Sequence, residues 1–444
     1  MCASAAPDTP RAHGRVVCPM RCAFCSKIFA TRKSLDPKMN EPFVLGVNYW
    51  PRRQAMYWWA NFDAGETRDE FALLRDLGLA VVRIFLLWDD FQPTPDAVAK
   101  KTLAHLETVC DLAAAADLKL DLTFFTGHMS GPNWAPRWLL GAPRVQTPLQ
   151  VVSRQRVVAS GYRNPFTDPI ALRAEKLLLR TVVGALKQHP AVWLWNLGNE
   201  PDLFAQPPTH EMGRAWMRAM TNVIREIDDA HPVTCGLHTD SLAQDNGLRV
   251  NEVFAETDLA VMHAYPMYAR WARGPLDAWF VPYACAMTHA LCGKPVLMQE
   301  FGGCTAPPGE NSQTWLWSSY GAPRAQFMAS EEALAEYVTA SLQNLHAIGV
   351  TGALWWCFAD YAPELWRQPP CFESRHERHF GLVRPDGSLK PHARALQKFA
   401  ATRPRVQALP AWAQIKMDAD AYYQNPQTHL IETYAQFLAN VPQK

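Results

Sequence analysis

Nowhere in this sequence is there an apolar run long enough to cross a membrane. The first thirty residues also lack the apolar core of a secretory leader, so the sequence predicts a cytoplasmic protein with no membrane partner. Charge of one sign is missing as well. Lys and Arg total 43 against 42 Asp and Glu, leaving a formal net charge of +1. No dense Lys/Arg stripe appears, which argues against a nucleic-acid partner. There is no Gly-x-Gly-x-x-Gly after the first apolar run, so a dinucleotide cofactor is not expected. Cysteine is present but unpaired in pattern. The 11 residues are an odd number and most are scattered, which suits reduced thiols better than a disulfide framework.

What the sequence does have is tryptophan and a repeat. The chain of 444 residues is 48% hydrophobic and holds 17 Trp. From Phe43 onward, short apolar runs alternate with amphipathic stretches, the mark of βα units and a parallel sheet. Eight strands are predicted, over 44–49, 80–86, 119–125, 192–197, 233–237, 259–263, 295–299 and 353–358. Helices are predicted over 67–77, 103–116, 169–188, 211–230 and 331–348. Eight such units fit a closed (β/α)8 TIM barrel better than an open sheet. Residues 1–40 read as a poorly packed extension, 41–402 as the barrel, and 403–444 as a C-terminal helical appendage packed on it. Long βα loops follow strands 3, 7 and 8. They carry Trp134, Trp138, Trp315, Trp317 and Trp366, which are expected to crowd the mouth of a site at the C-terminal strand ends.

Two carboxylates stand out. Strand 4 ends in Asn199-Glu200-Pro201, and strand 7 ends in Gln299-Glu300-Phe301-Gly302. Charged residues are seldom left at the end of an apolar strand without a partner. Two such Glu, three strands apart, can share one cavity at the top of a barrel. Glycosidic cleavage needs such a pair: one carboxyl protonates the leaving oxygen, and the other attacks the anomeric carbon or activates water. Taken singly, either Glu could instead make a structural ion pair at the barrel rim. Arg83, inside Val81-Val82-Arg83-Ile84-Phe85, is costly to bury unless paired. His263 and Tyr265 follow strand 6, and their two-residue spacing points both side chains the same way. Strand 8 carries Trp355 and Trp356, only one of which can face the lumen.

These motifs, in this order and spacing, resemble glycoside hydrolase family 5 of clan A over about residues 43–400. The resemblance implies a retaining O-glycosyl hydrolase, with Glu200 as general acid/base and Glu300 as nucleophile. It further implies that Arg83 holds the nucleophile, that Asn199 donates to the sugar 2-hydroxyl, and that Tyr265 touches Glu300. His263 and His128 match the family's site histidines, although Gly127 leaves the register of His128 open. Trp356 matches the platform under the cleaved sugar. Asn48 and Trp50 either line the pocket or only support it. The segments Gly46-Val47-Asn48-Tyr49-Trp50-Pro51, Met56-Tyr57-Trp58-Trp59 and Phe85-Leu86-Leu87-Trp88-Asp89-Asp90-Phe91 are similar to subfamily 18. That similarity implies β-mannosidase activity on short β-mannosides such as mannosyl-β-1,4-N-acetylglucosamine. An endo-acting mannanase or glucanase of the same clan is the alternative, and transglycosylation stays open. No metal and no cofactor are expected, and a small oligosaccharide is the expected partner.

One motif points elsewhere. Cys18, Cys22 and Cys25 form a C-x₃-C-x₂-C run that resembles the cluster motif of radical SAM enzymes. It precedes the first strand instead of following it. A zinc site would need a fourth ligand, for which His13 is the nearby candidate. An incidental leader is the simpler reading. A carbohydrate-binding pseudoenzyme is disfavoured because both Glu are present.

Overall fold

Eight short, almost wholly buried apolar runs become the parallel strands of one sheet in the computed structural model, which describes residues 40–141 and 149–443. They are β1 (Val44–Asn48), β2 (Val81–Leu87), β3 (Lys119–Thr126), β4 (Val192–Asn199), β5 (Val233–Gly236), β6 (Ala260–His263), β7 (Val296–Gly302) and β8 (Gly352–Trp356). Burial on both faces is why they read as continuous apolar runs and not as alternating ones. The spatial order is β5-β4-β3-β2-β1-β8-β7-β6, with every neighbouring pair parallel. The ends of that order meet beyond β5. The His263 backbone N–H donates to the Leu237 carbonyl at 2.8 Å, and the Thr239 N–H donates to the His263 carbonyl at 3.1 Å. The sheet is thus a closed (β/α)8 barrel.

One helix follows each strand: α1 (Ala64–Asp76), α2 (Lys100–Ala115), α3 (Pro169–Leu186), α4 (His210–Arg225), α5 (Val250–Glu256), α6 (Phe280–Cys292), α7 (Glu331–Ala347) and α8 (Pro391–Ala401). Their starts are written in the sequence. Asp63, Asp168, Thr209 and Ser330 each accept from backbone N–H groups of the first turn of α1, α3, α4 and α7. Helix α6 was not predicted, and the reason is physical. Phe280 to Thr288 are all buried, so the segment has no polar face to set a helical period.

Strands β4 and β7 run further than predicted. Both are irregular near their C-terminal ends. Pairing with β5 shifts register between Asn196 and Asn199, and pairing of β7 with β6 shifts between Met298 and Glu300. Such shifts re-aim side chains, and both fall beside the paired Glu residues.

The long loops build their own small structures. After β3 lies a three-stranded patch of Asn133–Trp134, Val151–Ser153 and Arg156–Val158. After β7 comes a hairpin of Gln313–Ser319 with Ala322–Met328. The loop after β8 carries the 3-10 turn Arg375–His379. Beyond the barrel, α9 (Ala419–Gln424) and α10 (Pro426–Asn440) lie against its side. There the Tyr422 and Tyr423 hydroxyls donate to the Leu242 and Ser241 carbonyls at 2.6 and 2.9 Å. No helix among the described residues is long and apolar enough to cross a membrane. Cys18, Cys22, Cys25 and His13 lie outside the described residues. The seven described cysteines are all free thiols.

Candidate active site

The C-terminal ends of β4, β6 and β7 surround a cavity of about 340 Å³. Glu200 and Glu300 both line it. Glu200 directly follows β4 in a left-handed conformation, with φ 44° and ψ 55°, and caps the short helix Pro201–Phe204. A non-glycine residue in that region carries strain of order 1–3 kcal/mol. The turn directs the Glu200 side chain into the cavity instead of along the strand. One oxygen of each Glu and a ring nitrogen of His263 all lie within 4.8 Å of one another.

Glu300 is held from two sides. Arg83 Nη1 donates to its Oε1, and the Tyr265 hydroxyl donates to its Oε2 at 2.8 Å. Arg83 is fully buried and all of its nitrogens are engaged. It donates to Asn48 Oδ1 at 3.1 Å, to Asn199 Oδ1 at 2.9 Å and to Thr123 Oγ1 at 2.9 Å, and Asp121 lies 3.9 Å away. Burial pushes the Asp121 carboxyl up to about 6, against the pull of Arg83 and Gln299. Burial and the charges of Glu300 and Glu200 raise the Tyr265 phenol well above its usual range, so it remains a donor.

His263 bridges the two carboxylates. Its Nδ1 is 2.9 Å from Glu200 Oε1 and 3.5 Å from Glu300 Oε1, and its Nε2 is 3.1 Å from Gln299 Oε1. Burial alone would push the Glu200 carboxyl up. The charge of His238, then the hydrogen bond and charge of His263, more than offset this and hold the carboxyl below its usual range. His238 can do so because Asp202 sits 2.9 Å from its Nε2. Although burial opposes it, Asp202 and Glu200 raise the His238 imidazole to about 10.

The remaining expected residues divide into two groups. Asn199, His128, His263, Tyr265 and Trp356 line the cavity. His128 Nδ1 lies 2.8 Å from Asn133 Oδ1, whose amide nitrogen donates to Tyr162 and Leu203. That network makes Nδ1 the donor and leaves Nε2 as an acceptor. Burial lowers the His128 pKa, which keeps the ring neutral. Trp356 packs edge-on against Phe85, while Trp355 turns away and donates to the Phe380 carbonyl at 3.0 Å. Asn48 and Trp50 do not line the cavity. Asn48 braces Arg83 from below and donates to the Gln299 and Trp355 carbonyls. Trp50 stacks on Phe85 and donates to Met129 Sδ at 3.4 Å.

The loop tryptophans are a correction. Among the described residues Trp356 alone of the tryptophans lines the cavity. Trp134, Trp138, Trp317 and Trp366 donate to the carbonyls of Met129, Gln92, Glu373 and Tyr361. Trp315 packs edge-on against His379. They tie the loops together instead of presenting faces to the opening, because four of the indole N–H groups find carbonyl partners among the loops.

Sequence reasoning missed the bracing layer of Asp121, Thr123 and Gln299, and the His238–Asp202 pair. Asp121 and Thr123 had a signal, two polar residues at period two inside an apolar strand. Arg324, from the hairpin after β7, and His376 and Glu377, from the 3-10 turn after β8, also line the cavity.

Glu200, His263 and Glu300 are spaced closely enough to hold a cation. Arg83 already supplies the positive charge at Glu300 Oε1, so the geometry suits a reacting carbon between two carboxylates better than a metal. With one carboxylate neutralised by Arg83 and the other in contact with histidine, the pair is equipped for proton transfer and nucleophilic attack.

The family model described as glycosyl hydrolases family 2, TIM barrel domain, matches residues 147–402. Mannan endo-1,4-beta-mannosidase 4 of Oryza sativa subsp. japonica is 26% identical over 211 residues, which is 41% of this chain and 41% of that protein. The chain therefore spans less than half the length of that relative. A GH5_18 variant from Streptomyces cattleya, solved with Manb1-4GlcNAc, superposes with a TM-score of 0.71 at 21% identity, over 89% of this chain and 92% of that one. Exo-beta-1,4-mannosidase Op5Man5 from Opitutaceae bacterium strain TAV5 gives a TM-score of 0.67 at 25% identity, over 84% and 62%. The likeness to family 5, subfamily 18, thus recurs in three dimensions, while the family model carries a family 2 label. The two differ in family number and agree on a barrel that belongs to glycoside hydrolysis.

Proposed function

Because the chain belongs to the glycosyl hydrolases with a family 2-type TIM barrel domain and is a structural neighbour of family 5, subfamily 18, we propose that it is a retaining, exo-acting β-mannosidase of short β-mannosides. One observation carries the chemistry. An oxygen of Glu200 and one of Glu300 lie within 4.8 Å, bridged by His263. Retaining enzymes hold their carboxyl groups about 5–5.5 Å apart, whereas inverting ones leave about 6.5–9.5 Å for a water.

In the first step Glu300 attacks the anomeric carbon while Glu200 protonates the departing oxygen. Arg83 and Tyr265 fix the Glu300 oxygens so that attack needs little reorientation. In the second step Glu200, as base, activates water against the covalent glycosyl-enzyme. The Glu200 carboxyl, held below its usual range, suits this second role. Its first role requires that it gain a proton when the site fills and water leaves. Asn199, on the cavity wall beside Glu300, is positioned for the sugar 2-hydroxyl.

The mannoside reading is supported by the neighbours, one solved with Manb1-4GlcNAc and another described as an exo-β-1,4-mannosidase. A cavity of about 340 Å³ lies at the small end of ligand sites, which favours a short substrate over an extended polymer. The curated relative is an endo-mannosidase, which favours internal cleavage of mannan as the second reading.

The test is a panel of aryl β-glycosides, then mannobiose, mannosyl-N-acetylglucosamine and mannan. The reading expects aryl β-mannoside and the disaccharides to be cleaved and mannan to be shortened only from its ends. Internal fragmentation of mannan without action on mannobiose would sink it. Glu300→Ala should abolish turnover on every substrate. Glu200→Ala should hurt poor leaving groups more than activated aryl ones, because only the former need the proton.

A further inference from the structure

Part of the cavity wall is unused by the reaction. Glu377, in the turn after β8, lines the cavity and is only 8% exposed. Its Oε2 is buried with no hydrogen-bond partner among the described residues. The buried hydroxyl of Ser130, another cavity residue, makes no close hydrogen bond either, and Glu377 is its weak neighbour. Leaving a buried polar atom unsatisfied costs about 1–3 kcal/mol, and more for a charged group. Such atoms persist where a ligand completes them.

Beyond the nearby Ser130 hydroxyl and Trp356 indole, the protein offers Glu377 little. His376 Nε2 is 3.4 Å from its Oε1, but that nitrogen already takes Arg324 Nη2 and the Tyr268 hydroxyl, each at 3.0 Å. A ring nitrogen that accepts from a guanidinium cannot also donate to a carboxylate. Burial, reinforced by Arg324, keeps the His376 ring neutral. No Lys or Arg among the described residues forms an ion pair with Glu377. Burial pushes its carboxyl up to about 7, while weak hydrogen bonds from Ser130 and Trp356 and the charge of Arg324 act against the rise.

Position tells what this wall would meet. Glu200, Glu300 and Asn199 claim the anomeric carbon and the neighbouring hydroxyl. The wall then steps outward from Tyr265 to Tyr268, 5.7 Å between ring centroids, and on to His376. Glu377 and Arg324 belong to that stretch of wall. We propose that Glu377 determines specificity by accepting hydrogen bonds from hydroxyls at C3, C4 or C6 of a neutral terminal sugar, with Arg324 on the same wall. The inference rests on the proposed glycosidase reading and deepens its exo character where the hydroxyl bound is that at C4, the oxygen that carries the preceding unit of a 1,4-linked chain. It also disfavours a uronic acid, whose carboxylate would face Glu377.

The experiment compares kcat/KM of the wild type and Glu377→Gln. It uses the aryl β-glycoside that the wild type cleaves best, together with its 3-, 4- and 6-deoxy counterparts. At least one deletion should cost the wild type about tenfold or more, and the same deletion should cost Glu377→Gln less than about threefold. Equal penalties in both proteins at all three positions would overturn the inference. Should the best sugar prove not to be mannose, the mannoside reading falls while this comparison still decides the role of Glu377. Absence of turnover on every glycoside would overturn both. If Glu377→Gln does not fold, Glu377→Asp, which withdraws the carboxylate by one methylene, is put through the same comparison.

Discussion

The Tyr265 hydroxyl donates at 2.8 Å to Glu300 Oε2, the oxygen that Arg83 leaves open. The two donors thus hold opposite oxygens of one carboxylate. Removing Tyr265→Phe takes away a hydrogen bond to a charged group, worth about 1.5–3 kcal/mol. If Glu300 is the nucleophile, as proposed, that contact orients the attacking oxygen, and kcat should fall roughly 10- to 100-fold with KM little changed. Steady-state kinetics on an aryl glycoside checks this, and an unchanged kcat would contradict it.

Arg83 is the cation that pairs with both Asp121 and Glu300. Arg83→Met leaves Asp121 and Glu300 buried without it, which should destabilise the fold by about 3–5 kcal/mol. Turnover should be lost as well. Arg83→Lys keeps the charge but not the planar fork that serves Asn48, Asn199, Thr123 and Glu300 at once. It should recover much of the melting temperature and little of the activity. Thermal denaturation alongside kinetics separates the two effects.

His238 gives the pH dependence a sign. In kcat/KM the alkaline limb reports the free-enzyme Glu200, which must carry a proton to act as acid. His238 lowers that carboxyl, so His238→Gln should move the alkaline limb to higher pH. Stability should change as well. The folded imidazole titrates near 10, above its unfolded value of about 6.5. Its stabilising contribution is therefore complete below about 6.5 and is lost as pH rises through about 10. Denaturant midpoints between these values should fall with pH more steeply in the wild type than in His238→Gln.

Gly302 ends β7 where a side chain has no space. A Cβ there would stand 2.5 Å from the Trp356 carbonyl oxygen. Gly302→Ala must push the β7 and β8 ends apart, at a cost of about 1–3 kcal/mol. Glu300 and Trp356 flank that contact, so activity should drop further than the modest loss of melting temperature suggests. Full activity in Gly302→Ala would mean that the strand ends tolerate the shift.

The sequence made the barrel legible because its strands are buried on both faces and several of its helices are amphipathic and capped. Glu200 and Glu300 were legible because a carboxylate ending an apolar run is conspicuous. Helix α6 was hidden by its uniform burial. Glu377 was hidden for another reason: it reaches the cavity from a 3-10 turn, where no period links sequence position to direction. The loop tryptophans misled in the same way. Their placement in loops after strands 3, 7 and 8 was read correctly, but four of the five indoles donate to loop carbonyls and Trp315 packs on His379.

His263 does two jobs with two parts of one residue. Its backbone joins β6 to the chain beyond β5, and its imidazole touches Glu200. That junction has few backbone bonds compared with the regular ladders elsewhere in the barrel. Any breathing of the cylinder there tugs on the proton-transfer machinery directly. Heat should therefore silence the enzyme before it melts it, with amide exchange at His263 and Thr239 rising while the ladder between β2 and β3 stays protected. Should exchange rise everywhere at once, this junction would not be the weak point.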